Sequence, residues 1–339
     1  MTFSVDAQEI NARLRQRFTR GEFFAFAMVF CAVGIFAWLS TLESYRFVKE
    51  DFYRYLNTEH GDFSFYYYGY WLLPIFAILA KLPTHISYIL WCSLNIFGVF
   101  FAARVFGGKV SLAILSYQML YSLIYGQISG LIVGGLALCW WGFVNRKWNI
   151  AGIGIILASA KYQMGLTGIL FLFLAADDIL WKDKLRAFIL PILIWAGSLI
   201  VYPDWPLQAL NTLSSNPPND FGSISLWRWI GPWALLLWLP PFLLPHITSR
   251  QRFIALVAVT GLALPYFQQT DLLFLLTLPI GWIGLLGNIG FFLETYGWIV
   301  LQIVALMPLI VYLSVLTPAI TNLMNRFLKR DIPKSLSSK

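Results

Sequence analysis

The sequence predicts an all-α membrane protein that crosses the bilayer many times, and three observations carry the prediction. Of 339 residues, 59% are hydrophobic and 12% are charged, where a soluble domain carries about 25% charged residues. The apolar residues form continuous runs, such as Ala25 to Leu39, which no charge interrupts. These runs do not alternate with polar residues, which excludes a transmembrane barrel. Helices remain, because a spanning segment has to satisfy its backbone hydrogen bonds internally. The basic residues behind the net charge of +8 sit in short clusters between the apolar runs. That is the pattern of cytoplasmic loops facing anionic headgroups, and it argues against nucleic-acid binding.

The elements follow in order. Residues 1–21 hold Arg13, Arg15, Arg17 and Arg20 and are expected to be a cytoplasmic segment. A first span runs roughly from Glu22 to Ser40; no small-residue cleavage site accompanies it, so it reads as a retained signal anchor. Residues 41–65 carry Glu43, Glu50, Asp51, Glu59 and Asp62 with Arg46, Lys49 and Arg54. This most acidic part of the chain is expected outside. Apolar segments follow near 66–82, 85–104, 110–125, 128–144, 148–161, 163–179, 186–202, 231–247, 252–267, 271–287 and 297–319. About 9–11 transmembrane helices are therefore expected, although several runs fall short of the ~20 residues of an upright span and suit half-helices at a cavity.

The segment 66–82, with its Tyr66, Tyr67, Tyr68, Tyr70 and Trp71, suits an interfacial helix that does not cross. With that assignment Arg104 with Lys109, Arg146 with Lys147, Lys182 to Arg186, and Arg250 with Arg252 all fall inside. The basic tail 321–339 does not fit strict alternation: either one late segment is re-entrant or the rule fails there. The domain reading is one transmembrane unit, 22–320, with outer loops at about 41–84 and 203–230. The second loop, with Asn216 to Asp220 and Ser225 to Arg228, is of about 28 residues, beyond ordinary connections and so functional or disordered; its aromatic content argues against disorder.

The candidate site gathers at the outer end. Lys161 lies between apolar runs, where an amine needs a partner or a cavity. Snorkelling to the interface competes with pairing to a phosphate, and Gln127 and Arg228 favour the phosphate. Glu50 and Asp51 read either as solvated loop charges or as a general base for a sugar hydroxyl, since adjacent carboxylates shift each other's proton affinity. Asp271, behind Gln268, Gln269 and Thr270, reads first as a helix cap and second as a substrate contact. Cys31, Cys92 and Cys139 all lie in apolar runs and read as small buried hydrophobes. No Cys/His metal spacing is present.

At Tyr125-Gly126-Gln127-Ile128-Ser129, then Asn145-Arg146-Lys147-Trp148, Ala151-Gly152 and Lys161, the chain resembles the polyprenol-phosphate-mannose-dependent mannosyltransferases of glycosyltransferase family 87. Asp51-Phe52, Tyr68 to Pro74 with Leu82-Pro83, Arg228, and Pro265-Tyr266 through Asp271 extend the resemblance over most of the sequence. It departs in having a single proline after Tyr70 and in Tyr162-Gln163-Met164-Gly165 after the lysine. The resemblance implies a GT-C-like helical bundle with an acidic outer loop, multi-pass in the plasma (inner) membrane with its active site outside. It implies transfer of a sugar, mannose first, from a polyprenyl-phosphate donor to a lipid or glycan acceptor, without cofactor or metal. Asp51 and Glu50 are the expected catalytic pair, with Gln127, Lys161, Tyr162, Arg228, Gln269, Asp271 and Tyr68 binding substrate. A lipid transporter or flippase competes, without the repeat symmetry many transporters show. So does a non-catalytic subunit of a membrane complex, with protein partners of its own.

Overall fold

The computed structural model describes residues 3–42, 48–63, 66–175, 179–215, 223–244, 247–265, 267–289 and 302–330. In chain order its α-helices are α1 (Phe3–Arg15), α2 (Arg20–Leu39), α3 (Glu50–Asn57), α4 (Leu73–Ala80), α5 (Thr84–Phe106), α6 (Val110–Ile114), α7 (Tyr117–Tyr125), α8 (Ser129–Val144) and α9 (Trp148–Ser159). They continue with α10 (Thr167–Ala175), α11 (Trp181–Val201), α12 (Trp205–Ser215), α13 (Trp227–Ile230), α14 (Pro240–Leu243), α15 (Ser249–Ala263), α16 (Leu273–Leu276) and α17 (Leu306–Arg330). No β-strand occurs among the described residues; one isolated bridge pairs Ser223 with Gln268. The fold is all-α, as the composition predicts.

Lipid is legible in the packing. In α2, Ala25, Val29, Val33 and Ala37 recur every fourth residue and are buried, while Phe23, Phe24, Met28 and Trp38 are exposed. In α11, Ile189, Leu193 and Ile200 are exposed in the same way. Apolar faces of that breadth are tolerated against hydrocarbon and not against water. Cys92 and Cys139 are buried, but Cys31 is exposed on α2 among these lipid-facing residues. The core is built by close helix approach. A Cβ at Gly98 of α5 would lie 2.4 Å from the Gly130 carbonyl oxygen of α8, and one at Gly154 of α9 would lie 2.3 Å from the Cys139 nitrogen. Small residues set in this way are how helices associate where no hydrophobic effect separates them from lipid.

Among the described residues the apolar runs form helices of unequal length. Four helices are long and apolar enough to cross (α2, α5, α11 and the stretch Ile303–Asn325), and α7 with α8 makes a fifth, bent by 117° at its break. Tyr70–Ala80, Trp148–Ser159, Met164–Leu174 and Gln251–Ala263 are shorter apolar helices. Breakers are the reason. The run near 110–125 divides at Ser116, whose hydroxyl caps α7 by accepting from Met119 N. The run near 231–247 becomes 3₁₀ turns over Gly231–Trp238 followed by the one-turn α14, because Pro232, Pro240 and Pro241 lack backbone donors. The run near 271–287 divides at Pro279 and at Gly281, whose φ is 62°. Within the segment expected at the interface, α4 forms with 8 residues, too short to cross at 1.5 Å per residue. The expected loop 203–230 contains α12, and α17 runs on through the start of the expected tail to Arg330. Asn216 to Asp220 lie outside the described residues.

The two ends of the bundle differ in chemistry. At one end α1 lies across α5 and α8. Arg104 pairs with Glu22 at 2.7 Å and donates to the Arg13 carbonyl and Gln16 Oε1. Asn11 donates to Asn145 Oδ1 and accepts from Trp141 Nε1. Glu22 meanwhile closes a capping box with Thr19. At the far end of α8, about 24 Å away along 16 residues, lie Gln127 and the candidate site.

Candidate active site at the head of the bent helix pair

Gly126 sets the geometry. It ends α7 in the left-handed region at φ 72°, and a Cβ there would lie 2.6 Å from the Phe52 Cβ. Glycine therefore serves twice, for the turn and for the close approach of α3. The Gly126 carbonyl accepts from Trp91 Nε1 at 2.8 Å, and Lys49 N donates to the Ile124 carbonyl at 2.6 Å. Lys49 itself takes up φ 63° to start α3. Phe52 and Tyr55 are the buried residues of α3, which leaves Glu50, Asp51 and Arg54 along its other side.

Arg54 holds both acids, Glu50 at 2.6 Å and Asp51 at 3.5 Å. Glu50 is the more exposed, with 46% of its side chain open against 23% for Asp51. Burial raises the Asp51 carboxyl above the ordinary carboxylate range; a hydrogen bond from Gln127 and the charges of Arg54 and Lys161 oppose it, and Glu50 adds to the rise. Asp51 is thus close enough to Gln127 and Lys161 to feel both.

The lysine side is built from α9. Past Ser159 the chain leaves the α-helix at Lys161 and makes a π-helical turn over Tyr162–Leu166. The tyrosine segment covers this break: Gly69 N donates to the Ala160 carbonyl at 3.1 Å and Trp71 Nε1 to the Ile156 carbonyl at 3.1 Å. Tyr68 lies beside Lys161, Asp51 and Asp271, with the Tyr55 hydroxyl donating to its own at 3.1 Å. Lys161 Nζ pairs with Asp271 Oδ1 at 2.5 Å, and only 13% of the lysine and 1% of the aspartate side chain is open. Asp271 Oδ2 accepts from Gln268 N at 3.2 Å and caps its own 3₁₀ turn, Gln269–Leu272. The cap expected from sequence is there, and the lysine is its addition.

Gln269 is buried and donates to the Tyr117 hydroxyl at 3.3 Å, while Arg228 is exposed on the single turn α13. Tyr162 turns toward Tyr66 and Tyr70. Among the described residues, Gln127 Oε1 and the Tyr162 hydroxyl are buried and have no hydrogen-bond partner. Such groups are rare unless something else satisfies them. Sequence reasoning passed over Arg54 and Tyr55. Arg54 had a usable signal in its spacing, three and four residues after the two acids.

A small apolar pocket between α10 and α15 touches Asp271. Met164, Phe171, Val257, Phe267 and Phe274 wall it, and Asp271 is the charged residue among its described lining. A carboxylate with raised proton affinity, near a buried ammonium and unsatisfied polar atoms, can take a proton beside a bound anionic group.

A model of glycosyltransferase family 87 matches residues 66–281, more than half of the chain. The match takes in Tyr68, Gln127, Lys161, Arg228 and Asp271; Asp51 precedes it. No curated protein and no solved structure matches the chain.

Proposed function

The chain belongs to glycosyltransferase family 87 and is a membrane glycosyltransferase, and from that premise we propose that it moves mannose from a polyprenyl-phosphate donor to a hydroxyl of a lipid or glycan acceptor on the outer face, by inverting displacement with Asp51 as general base. The observation that carries the reading is the half-buried Asp51 carboxylate, with its raised proton affinity, facing Gln127 and lying within the field of Lys161. A base works best with a pKa drawn toward the working pH.

Asp51 takes the proton of the acceptor hydroxyl while that oxygen bonds to the anomeric carbon. The bond from the anomeric carbon to the phosphate oxygen breaks, and its electron pair stays on the polyprenyl phosphate. Lys161 is placed to stabilise the charge that grows there. The unsatisfied Gln127 Oε1 suits a sugar hydroxyl donor. Glu50, tied to Arg54, orients and tunes its neighbour. The apolar pocket between α10 and α15 touches Asp271 of the ion pair. Sidedness is supported by the basic residues at the α1 end, opposite Asp51. The family supports catalysis over the non-catalytic subunit reading.

The test is transfer by purified protein from a radiolabelled polyprenyl-phosphate mannose to a panel of lipid and glycan acceptors. Wild-type transfer, lost in Asp51→Asn, is expected. Transfer retained by both Asp51→Asn and Glu50→Gln would remove the carboxylate pair from the mechanism. Absence of wild-type transfer from every polyprenyl-phosphate sugar tried would overturn the donor class.

A further inference from the structure

The Lys161–Asp271 pair poses a charge problem that the proposed reaction sharpens. The pair is almost wholly enclosed, where like charges are poorly screened. Asp271 is also held in place. One oxygen takes Lys161 and the other takes Gln268 N, so its own turn fixes the carboxylate whether or not a ligand is present. A small apolar pocket touches this carboxylate. A lipid phosphate that reaches Lys161 meets an ammonium already neutralised by a fixed negative charge.

We infer that Asp271 is a product-releasing residue: it weakens the hold of Lys161 on the spent polyprenyl phosphate more than on the sugar-bearing donor. The inference rests on the lipid-phosphate reading above. The donor is a phosphodiester with a single negative charge. The product is a phosphomonoester, which carries about −1.5 to −2 at neutral pH by analogy with other phosphomonoesters. Lys161 has three donors and Asp271 takes one, so the lysine can hold the donor without leaving the aspartate. After transfer the extra charge falls between two anions that share one cation. Repulsion then rises at the moment when release is required, and a fixed carboxylate supplies it without any movement of the chain.

Binding of polyprenyl phosphate and of polyprenyl-phosphate mannose is compared in wild type, Asp271→Asn and Lys161→Ala, in nanodiscs, with turnover measured in parallel. Asn keeps the cap oxygen and removes the charge. Asp271→Asn is expected to tighten the monoester by about tenfold, the size of effect an unscreened like charge produces, and the diester by less. Inhibition by added polyprenyl phosphate rises with it, and kcat falls more than KM. Asp271→Ser, which also offers a cap acceptor, follows the same direction and covers a failure of the first variant to fold. An unchanged ratio of monoester to diester affinity, or weaker binding of both in either folded variant, would overturn the inference. If wild type binds neither lipid, or if Lys161→Ala binds both as well as wild type does, the lipid-phosphate reading itself fails.

Discussion

At the scale of single residues, burial makes Asp51 useful and costly at once. Asp51→Asn keeps shape and most hydrogen bonding but cannot take a proton. Losing a positioned base costs about 10²–10⁴-fold in rate, or roughly 3–5 kcal/mol, so with Asp51 as the proposed base turnover at saturating donor is expected to fall by that much while donor affinity changes little. The same substitution stabilises the fold. A carboxyl raised above its unfolded value holds its proton more tightly when folded, so the folded state loses stability as pH climbs from the unfolded pKa through the folded one. Asp51→Asn escapes that loss. Thermal unfolding in detergent is expected to show the variant above wild type at pH 7, with the gap closing toward pH 4; a variant less stable at pH 7 would contradict it. Gln127 acts in the other direction, since its hydrogen bond lowers the Asp51 pKa. Gln127→Ala is therefore expected to move the acid limb of kcat/KM to higher pH, and Glu50→Gln to lower pH. The residues Asp51, Gln127, Lys161, Tyr68 and Asp271 were visible one by one as polar groups beside apolar runs. The pairing of Lys161 with Asp271 was not, because 110 residues separate them and nothing local ties a lysine to a distant cap.

At the scale of elements, hydropathy located the apolar runs and misjudged their continuity. A window of apolar residues looks alike whether it folds as α5, unbroken from Thr84 to Phe106, or as the 3₁₀ turns of Gly231–Trp238. What separates the two is proline count and capping, which average hydropathy does not weigh. The first polar stretch was read as loop because its charges dominate its composition, yet Glu50–Asn57 is helical, with Phe52 and Tyr55 on the buried side three residues apart. Glycine spacing is the more informative signal in the core. At Gly154 an added methyl would sit 2.3 Å from the Cys139 nitrogen, a contact with backbone that no rotamer relieves. Gly154→Val is therefore expected to separate α8 from α9, lower the unfolding temperature and depress activity, although it lies below the site. Gly34, with nothing within 4 Å of its added Cβ, provides the control: Gly34→Ala should leave both measurements near wild type.

At the scale of the whole molecule, sidedness follows from how charges sort along the bundle. The N-terminal segment, with Arg13, Arg15, Arg17 and Arg20, is tied to Arg104 by Gln16 and to Asn145 by Asn11, so three stretches distant in sequence share one end. Gln127, and with it Asp51, stands at the other end of α8. Basic clusters mark the cytoplasmic side, so the Asp51 end is expected to face out. Single cysteines in a Cys31→Ser background test this, since Cys31 is exposed and the other two cysteines are buried. Tyr53→Cys, on an exposed position of α3, is expected to react with a membrane-impermeant maleimide in intact cells. Lys147→Cys, exposed beyond α8, should react only after the membrane is opened. Asn325→Cys, exposed near the end of α17, decides the side of the C-terminal helix, where charge and strict alternation disagree. Labelling of Tyr53→Cys and Lys147→Cys from the same side would place both ends of α8 in one compartment. The lipid-linked donor and the proposed base would then no longer share the outer face.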